Sequence, residues 1–337
     1  MTGSVRRPRS PSPTTSFAPG WRGKVPSPDA REPQAPPLVV CAGVAVLDLI
    51  FAADKPEPGS KVLASAFASV VGGCAANGAV TVSRLGARSR LVAPLGGPAG
   101  YDPIGDQILA WLEREHIDCS TAIRLDHVTT PISSILIDRT GERSIVTYRD
   151  PRFVAPPLNP DGLIEGATAV LIDDHYPSFA LPMAEAAQRR GIPVVLDIEK
   201  NAARHAALRA AATHLVFSAE GARELAGSDD IDLALHRIAA QTASFVTITN
   251  GSDDILFVED GEPHRLPAFP VKAVDTLAAG DVFHAAFALA LAEKRGEREA
   301  LRFAAAVAAI KCTRFGGIAG APTRAEVEPF LNEHAAG

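Results

Sequence analysis

The run Asp275-Thr276-Leu277-Ala278-Ala279-Gly280-Asp281 leads directly into the apolar stretch Val282-Phe283-His284-Ala285-Ala286-Phe287. Small residues and a glycine open a helix whose first turn carries a carboxylate. Backbone N–H groups at a helix start lack intrahelical acceptors and attract anions, and small side chains let a phosphate approach them. A carboxylate repels phosphate, so Asp281 is better suited to accept the proton of a hydroxyl about to attack phosphorus. An anion cradle beside a base is the chemistry of phosphoryl transfer to a small hydroxyl compound. Read as plain residues, Asp281 is equally an N-cap and the residues before it a tight turn.

A second segment weighs on the first reading. Gly72-Gly73-Cys74-Ala75-Ala76-Asn77-Gly78-Ala79-Val80 also starts a helix, which ends near Arg84-Leu85-Gly86, about two hundred residues upstream of Asp281. The two segments, in this order and at this separation, resemble the two signatures of the PfkB (ribokinase-like) family of carbohydrate kinases. The resemblance runs from about Val39 to Leu331. It implies a ribokinase-like three-layer α/β/α domain with a mostly parallel central sheet and a small β-sheet lid. It also implies ATP with Mg2+, a monovalent cation such as K+, and a homodimer formed through the lid.

Residue by residue, the resemblance makes Asp281 the catalytic base and Ala278, Ala279 and Gly280 the anion hole. The family normally has glycine where Ala278 stands. If that position needs positive φ, alanine costs on the order of 1 kcal/mol. Asp275 and Thr276 match the nucleotide and cation surroundings, or are simply a loop-capping pair. Asp48, Gly72, Gly73 and Asn77 fall at sugar-binding positions, although a lone Asp after a strand is most often a cap. Thr249-Asn250-Gly251-Ser252-Asp253-Asp254 resembles a nucleotide-binding T-x-G-x-x-G turn through Thr249 and Gly251, with Asp254 replacing the second glycine. A further N-x-x-E element of the family is absent, since Ser218 and Gly221 occupy its ends; Glu220 and Glu224 are the neighbouring carboxylates. No set of protein metal ligands is visible. Lys311-Cys312-Thr313-Arg314 and the glycines after it look like the sulfofructose-kinase branch, in which Lys61 would meet an anionic substrate end. Asp126 and His175 fall where that branch has neutral or cationic groups. Asp126 would repel such an anion unless paired.

These residues must be held by strands and helices in alternation. Apolar runs at 38–44, 89–94, 169–172, 193–196, 214–217 and 244–249 alternate with helical patterns at 106–115, 180–190, 219–225 and 232–242, which indicates a parallel sheet covered on both faces. Segments of about 46–71 and 123–148 show strand alternation with no helix between and form the expected lid, with a hairpin turn at Arg139-Thr140-Gly141-Glu142. The kinase domain is expected to span 38–337. Residues 1–37, rich in Pro, Ser and Arg with five basic residues before the first acid at Asp29, read as a disordered extension.

Composition excludes several classes. A net charge of −6 argues against nucleic-acid binding, and no apolar run reaches the roughly 18 residues that span a bilayer. Four scattered cysteines, without CxxC, suggest reduced thiols in the cytoplasm. The strand at 38–44 is not followed by G-x-G-x-x-G, which disfavours a dinucleotide oxidoreductase, and no nucleophile elbow supports a hydrolase. The reading is therefore an ATP-dependent kinase of a hexose, ketose or sugar acid. Sulfofructose kinase, nucleoside kinase and a non-catalytic sugar- or nucleotide-binding regulator are its alternatives.

Overall fold

A computed structural model describes residues 1, 3, 35–156, 158–199 and 202–334. The proposed extension 1–37 lies almost wholly outside the described residues. From Pro36 onward the chain is one unit built on an eight-stranded sheet. Its strand order is Glu262–Leu266, Ile255–Glu259, Phe245–Thr249, His214–Ser218, Val194–Ile198, Ala169–Asp173, Leu38–Ala42 and Arg88–Val92. The last six are parallel, and the first two form an antiparallel hairpin at one edge.

The strand Leu38–Ala42 shows why the sheet is covered on both sides. Val39 and Cys41 enter one apolar core, while Leu38, Val40 and Ala42 enter the other. Side chains alternate across a strand, so a run with no polar break must be buried on both faces. The first core holds the helices Cys74–Arg84, Ala279–Ala292 and Glu297–Cys312; the second holds Pro177–Arg189 and Ile231–Ala239. Helix Ala279–Ala292 is buried continuously from Val282 to Leu291, which explains why its sequence is apolar on every side. Among the described residues, no helix is long and apolar enough to cross a membrane.

The lid is a four-stranded sheet in the order Ala66–Gly72, Val46–Ala52, Ile132–Ile137, Arg143–Tyr148. The hairpin at 139–142 is present, with Gly141 at φ 85°. One expectation needs correction. Ile123–Asp126 is not part of the lid, but pairs in parallel with Pro94–Gly97 in a separate two-stranded sheet. Alternation identifies a strand without identifying its partner, and the short connection to Ile132 invited the wrong grouping.

Candidate active site

Two helix starts meet. Asn77, on the first turn of Cys74–Arg84, donates from Nδ2 to Asp281 Oδ2 at 2.6 Å. The helices can approach because their facing residues are small. A Cβ on Gly78 would come within 2.7 Å of Leu171 Cδ2 and 3.7 Å of Ala285 Cβ. Asn77 Oδ1 is buried and has no protein hydrogen-bond partner.

Asp48 reaches the same place from the lid strand Val46–Ala52 and is 7% exposed. Burial, aided by the charge of Asp281 and opposed by a hydrogen bond from Ser133, pushes its carboxyl up to about 7. Each glycine of the Gly72-Gly73 pair has an intramolecular reason. A Cβ on Gly72 would lie 2.0 Å from Asp48 Oδ2, and Gly73 has φ 90° with Val44 O 2.6 Å from the Cβ position. The pair therefore makes room for Asp48 and for the bend into the helix.

The turn before Asp281 has the shape its small residues imply. Ala278 sits in the left-handed region at φ 63°, ψ 9°. Glycine is more comfortable there by on the order of 1 kcal/mol. Ala278→Gly is accordingly expected to raise Tm by about 2 °C without loss of activity; a lower melting temperature in a thermal scan would contradict the strain. Of the three expected anion-hole residues, Ala279 already donates its N–H to Thr276 O at 3.2 Å. Among the described residues, the N–H groups of Ala278, Gly280 and Asp281 have no protein acceptor. Thr276 Oγ1 accepts from Arg143 Nη1 of the lid at 3.2 Å.

Asp275 is placed differently from its expected ligand role. It is fully buried; its Oδ1 accepts from Leu277 N at 2.7 Å and its Oδ2 from Gly316 N and Gly317 N at 3.0 and 2.8 Å. Thr249 ends its strand with Oγ1 donating to Phe217 O at 3.3 Å, and Gly251 turns the chain at φ 63°. Lys61 is exposed on the loop between two lid strands, and Asp126 is exposed at a strand end.

Sequence reasoning missed the carboxylates on the sheet. Asp173 and Asp197 end neighbouring parallel strands and are register partners. Asp197 lies 3.2 Å from His284 Nδ1, both buried, off the angle of a good hydrogen bond. Despite burial, His284 holds the Asp197 carboxyl below its ordinary value, while Asp197 lifts the His284 ring above its own. Burial and the charge of Asp197 raise Asp281 in turn, against the bond from Asn77. Glu199, two residues beyond Asp197, is open to solvent as a residue but crowded at its carboxyl, which is pushed up to about 7 by Asp197 first, then by desolvation and Asp281. Burial and these carboxylates keep the Cys74 thiol protonated. His175 pairs with Asp173 at 3.1 Å, which outweighs burial and lifts the ring to about 9. The available signal was position: ligands of open α/β sheets gather at the carboxyl ends of strands.

Two further observations concern metals. Cys74, Asp173 and His175 bring ligand atoms within 4.8 Å of one another, as do Cys74, Asp197 and Asp281. A thiol suits soft ions and not Mg2+, which prefers oxygen, so neither set fits magnesium as it stands. The missing N-x-x-E element also has a physical cause. Ser218 caps the helix Ala219–Ala226 by accepting from Gly221 N at 3.1 Å, and a Cβ on Gly221 would lie 1.9 Å from Glu199 O. A longer side chain there would clash with the Glu199 backbone.

A mostly parallel sheet with a β lid, and a carboxylate on the first turn of a helix whose leading N–H groups lack acceptors, is the arrangement expected of a phosphotransferase acting on an alcohol. The description "pfkB family carbohydrate kinase" matches residues 36–324, and the chain belongs to that family. It is 32% identical to the ribokinase of Bacillus subtilis over 301 residues, covering 86% of this chain and 98% of that protein. Among solved structures, it resembles a provisionally assigned ribokinase from Agrobacterium tumefaciens with a TM-score of 0.84 and 36% identity, over 90% of this chain and 100% of that one. The Arabidopsis thaliana ribokinase complexed with ribose and ATP gives a TM-score of 0.72 at 26% identity, over 88% and 99% of the two chains. The protein is thus a ribokinase-like sugar kinase.

Proposed function

We propose that the protein transfers the γ-phosphoryl group of ATP to a hydroxyl of a small neutral sugar, with ribose the first candidate and a ketohexose the second. The observation that carries this is the meeting of Asp281, Asn77 and Asp48, with the Asn77 Oδ1 acceptor still unpaired. Asp281 takes the proton of the attacking hydroxyl, and Asn77 fixes the carboxylate that receives it. Asp48 and Asn77 Oδ1 accept hydrogen bonds from the remaining hydroxyls. The free N–H groups of Gly280 and Asp281 face charge that grows on phosphoryl oxygens. Mg2+ would neutralise the nucleotide phosphates, and Glu199 is the exposed carboxylate suited to hold it, directly or through water.

Asp48, Asp281, Asp197 and Glu199 make the surroundings acidic, which favours a neutral sugar over one bearing a sulfonate or phosphate. Similarity to ribokinases places ribose ahead of a nucleoside. A coupled ADP-release assay across ribose, fructose, 2-keto-3-deoxygluconate, adenosine and 6-deoxy-6-sulfofructose tests the choice. Ribose or fructose should exceed both adenosine and sulfofructose in kcat/KM by at least about tenfold, or ~1.4 kcal/mol. A hundredfold preference for sulfofructose that disappears in Lys61→Ala would establish the sulfosugar reading instead.

The outer lid face exposes Phe67, Val146 and Tyr148 on one side of the sheet. Such a strip supports a homodimer through the lid. Sedimentation equilibrium should then show a dimer that Val146→Glu weakens; a monomeric wild type would remove the proposal.

A further inference from the structure

Lys311 lies in the last turn of helix Glu297–Cys312, and its side chain is wholly buried. An ammonium group without water or an anionic partner is costly, so its surroundings must serve it. Nζ donates to the main-chain carbonyl of Asp275 at 2.7 Å and stands 3.4 Å from Asp275 Oδ1. The same carboxylate gathers the N–H groups of Leu277, Gly316 and Gly317, while Val274 N and Asp275 N both donate to Cys312 O. One ammonium and one carboxylate therefore pin the turn that leads to Asp281 against the glycine turn after Cys312. Leu277, tied to Asp275, directly precedes Ala278 in its left-handed conformation. The shape of the anion turn depends on this pin.

We propose that the Lys311 ammonium is a built-in monovalent cation for this turn, so that the enzyme works without free K+ or Na+. The monovalent cation implied by the family resemblance does not fit here. The carbonyl and carboxylate of Asp275 that would attract it already face an ammonium group in a fully buried position. A second positive charge beside it would be repelled, with little dielectric screening. Lys311 is a positioning residue: it touches the turn and reaches no reacting atom.

Two measurements test this, the first independent of catalysis. Thermal melts of the full-length wild type in choline chloride and in KCl, at equal ionic strength, should agree within about 1 °C, because Lys311 already fills the position beside Asp275. The kcat for the best sugar, with ATP as its choline salt and MgCl2, should change less than about twofold, or ~0.4 kcal/mol, on adding K+. Lys311→Ala opens the space and leaves Asp275 without its counter-charge. It should melt several degrees lower in choline and regain part of that loss specifically in K+, with kcat recovering in parallel. A K+-specific rise in wild-type melting temperature of several degrees, or tenfold activation of the wild type, would overturn the proposal. So would a Lys311→Ala protein indifferent to K+. Should that variant not fold in either salt, the wild-type comparison decides alone. Absence of activity on any sugar, with melts still insensitive to K+, would count against the substrate reading and not against this one.

Discussion

Asp281→Asn is expected to lower kcat by at least about 10²-fold, the scale of losing a general base, while leaving nucleotide affinity and folding nearly intact. The substitution keeps the size of the side chain and its place against Asn77, and takes away only the proton acceptor. It also removes one negative charge from a group that includes Asp48, Asp197 and Glu199. Stability near neutral pH should therefore hold or rise, and ADP should bind as well or better. The raised Asp281 carboxyl gives the wild type a further signature: kcat should fall on the acid side of its profile at a pH above that of an ordinary aspartate. Steady-state kinetics of the variant, with melts and ADP titration calorimetry, provide the check. Turnover within tenfold of wild type, still dependent on sugar, would exclude Asp281 as the base.

What was legible in the sequence, and what was not, follows from the range of the signals. The starts of helices Cys74–Arg84 and Ala279–Ala292 are local patterns, small residues followed by an apolar run, and the structure contains both. The strain at Ala278 was legible only through the resemblance, as alanine where the family normally has glycine, and the φ of 63° bears it out. The hydrogen bond from Asn77 to Asp281 crosses 204 residues and was not legible in the sequence, where the resemblance gave the two residues separate roles. Asp173 and Asp197 left no local trace. Each is an acid at the end of an apolar run, Asp173 followed by Asp174 and Asp197 by Ile198-Glu199, and they become neighbours only through parallel register. In sequence, Lys311 stands out only within the run Lys311-Cys312-Thr313-Arg314. Its burial arises from Asp275, which lies 36 positions away and behaves as a structural pin. Gly221 shows the converse: a departure from the family pattern that had no meaning in sequence becomes a steric requirement beside Glu199.

Asp48→Asn should lower kcat/KM for the sugar by about 10- to 150-fold, corresponding to one hydrogen bond to a charged acceptor at ~1.5–3 kcal/mol. ATP binding should not change, since Asp48 lies on the lid strand and not on the anion turn. The variant also tests a linkage. Asp48 goes from an ordinary value of 3.8 to about 7 in the folded protein, so between these values the native state holds a proton that the unfolded chain has released. Stability from this group is therefore present in acid and is lost as pH rises through about 4 to 7, the reverse of a salt-bridged aspartate. Glu199 adds in the same direction over a similar window. Without sugar, the wild type should melt at a lower temperature at pH 8 than at pH 5.5, and Asp48→Asn should flatten that slope. Sugar hydroxyls that donate to Asp48 favour its ionised form, so sugar binding near pH 6.5 should release protons to the buffer. Calorimetry in buffers of different ionisation enthalpy would detect that release in the wild type, and the variant should lack it. Proton release unchanged in Asp48→Asn, together with an undiminished kcat/KM, would place the sugar away from Asp48.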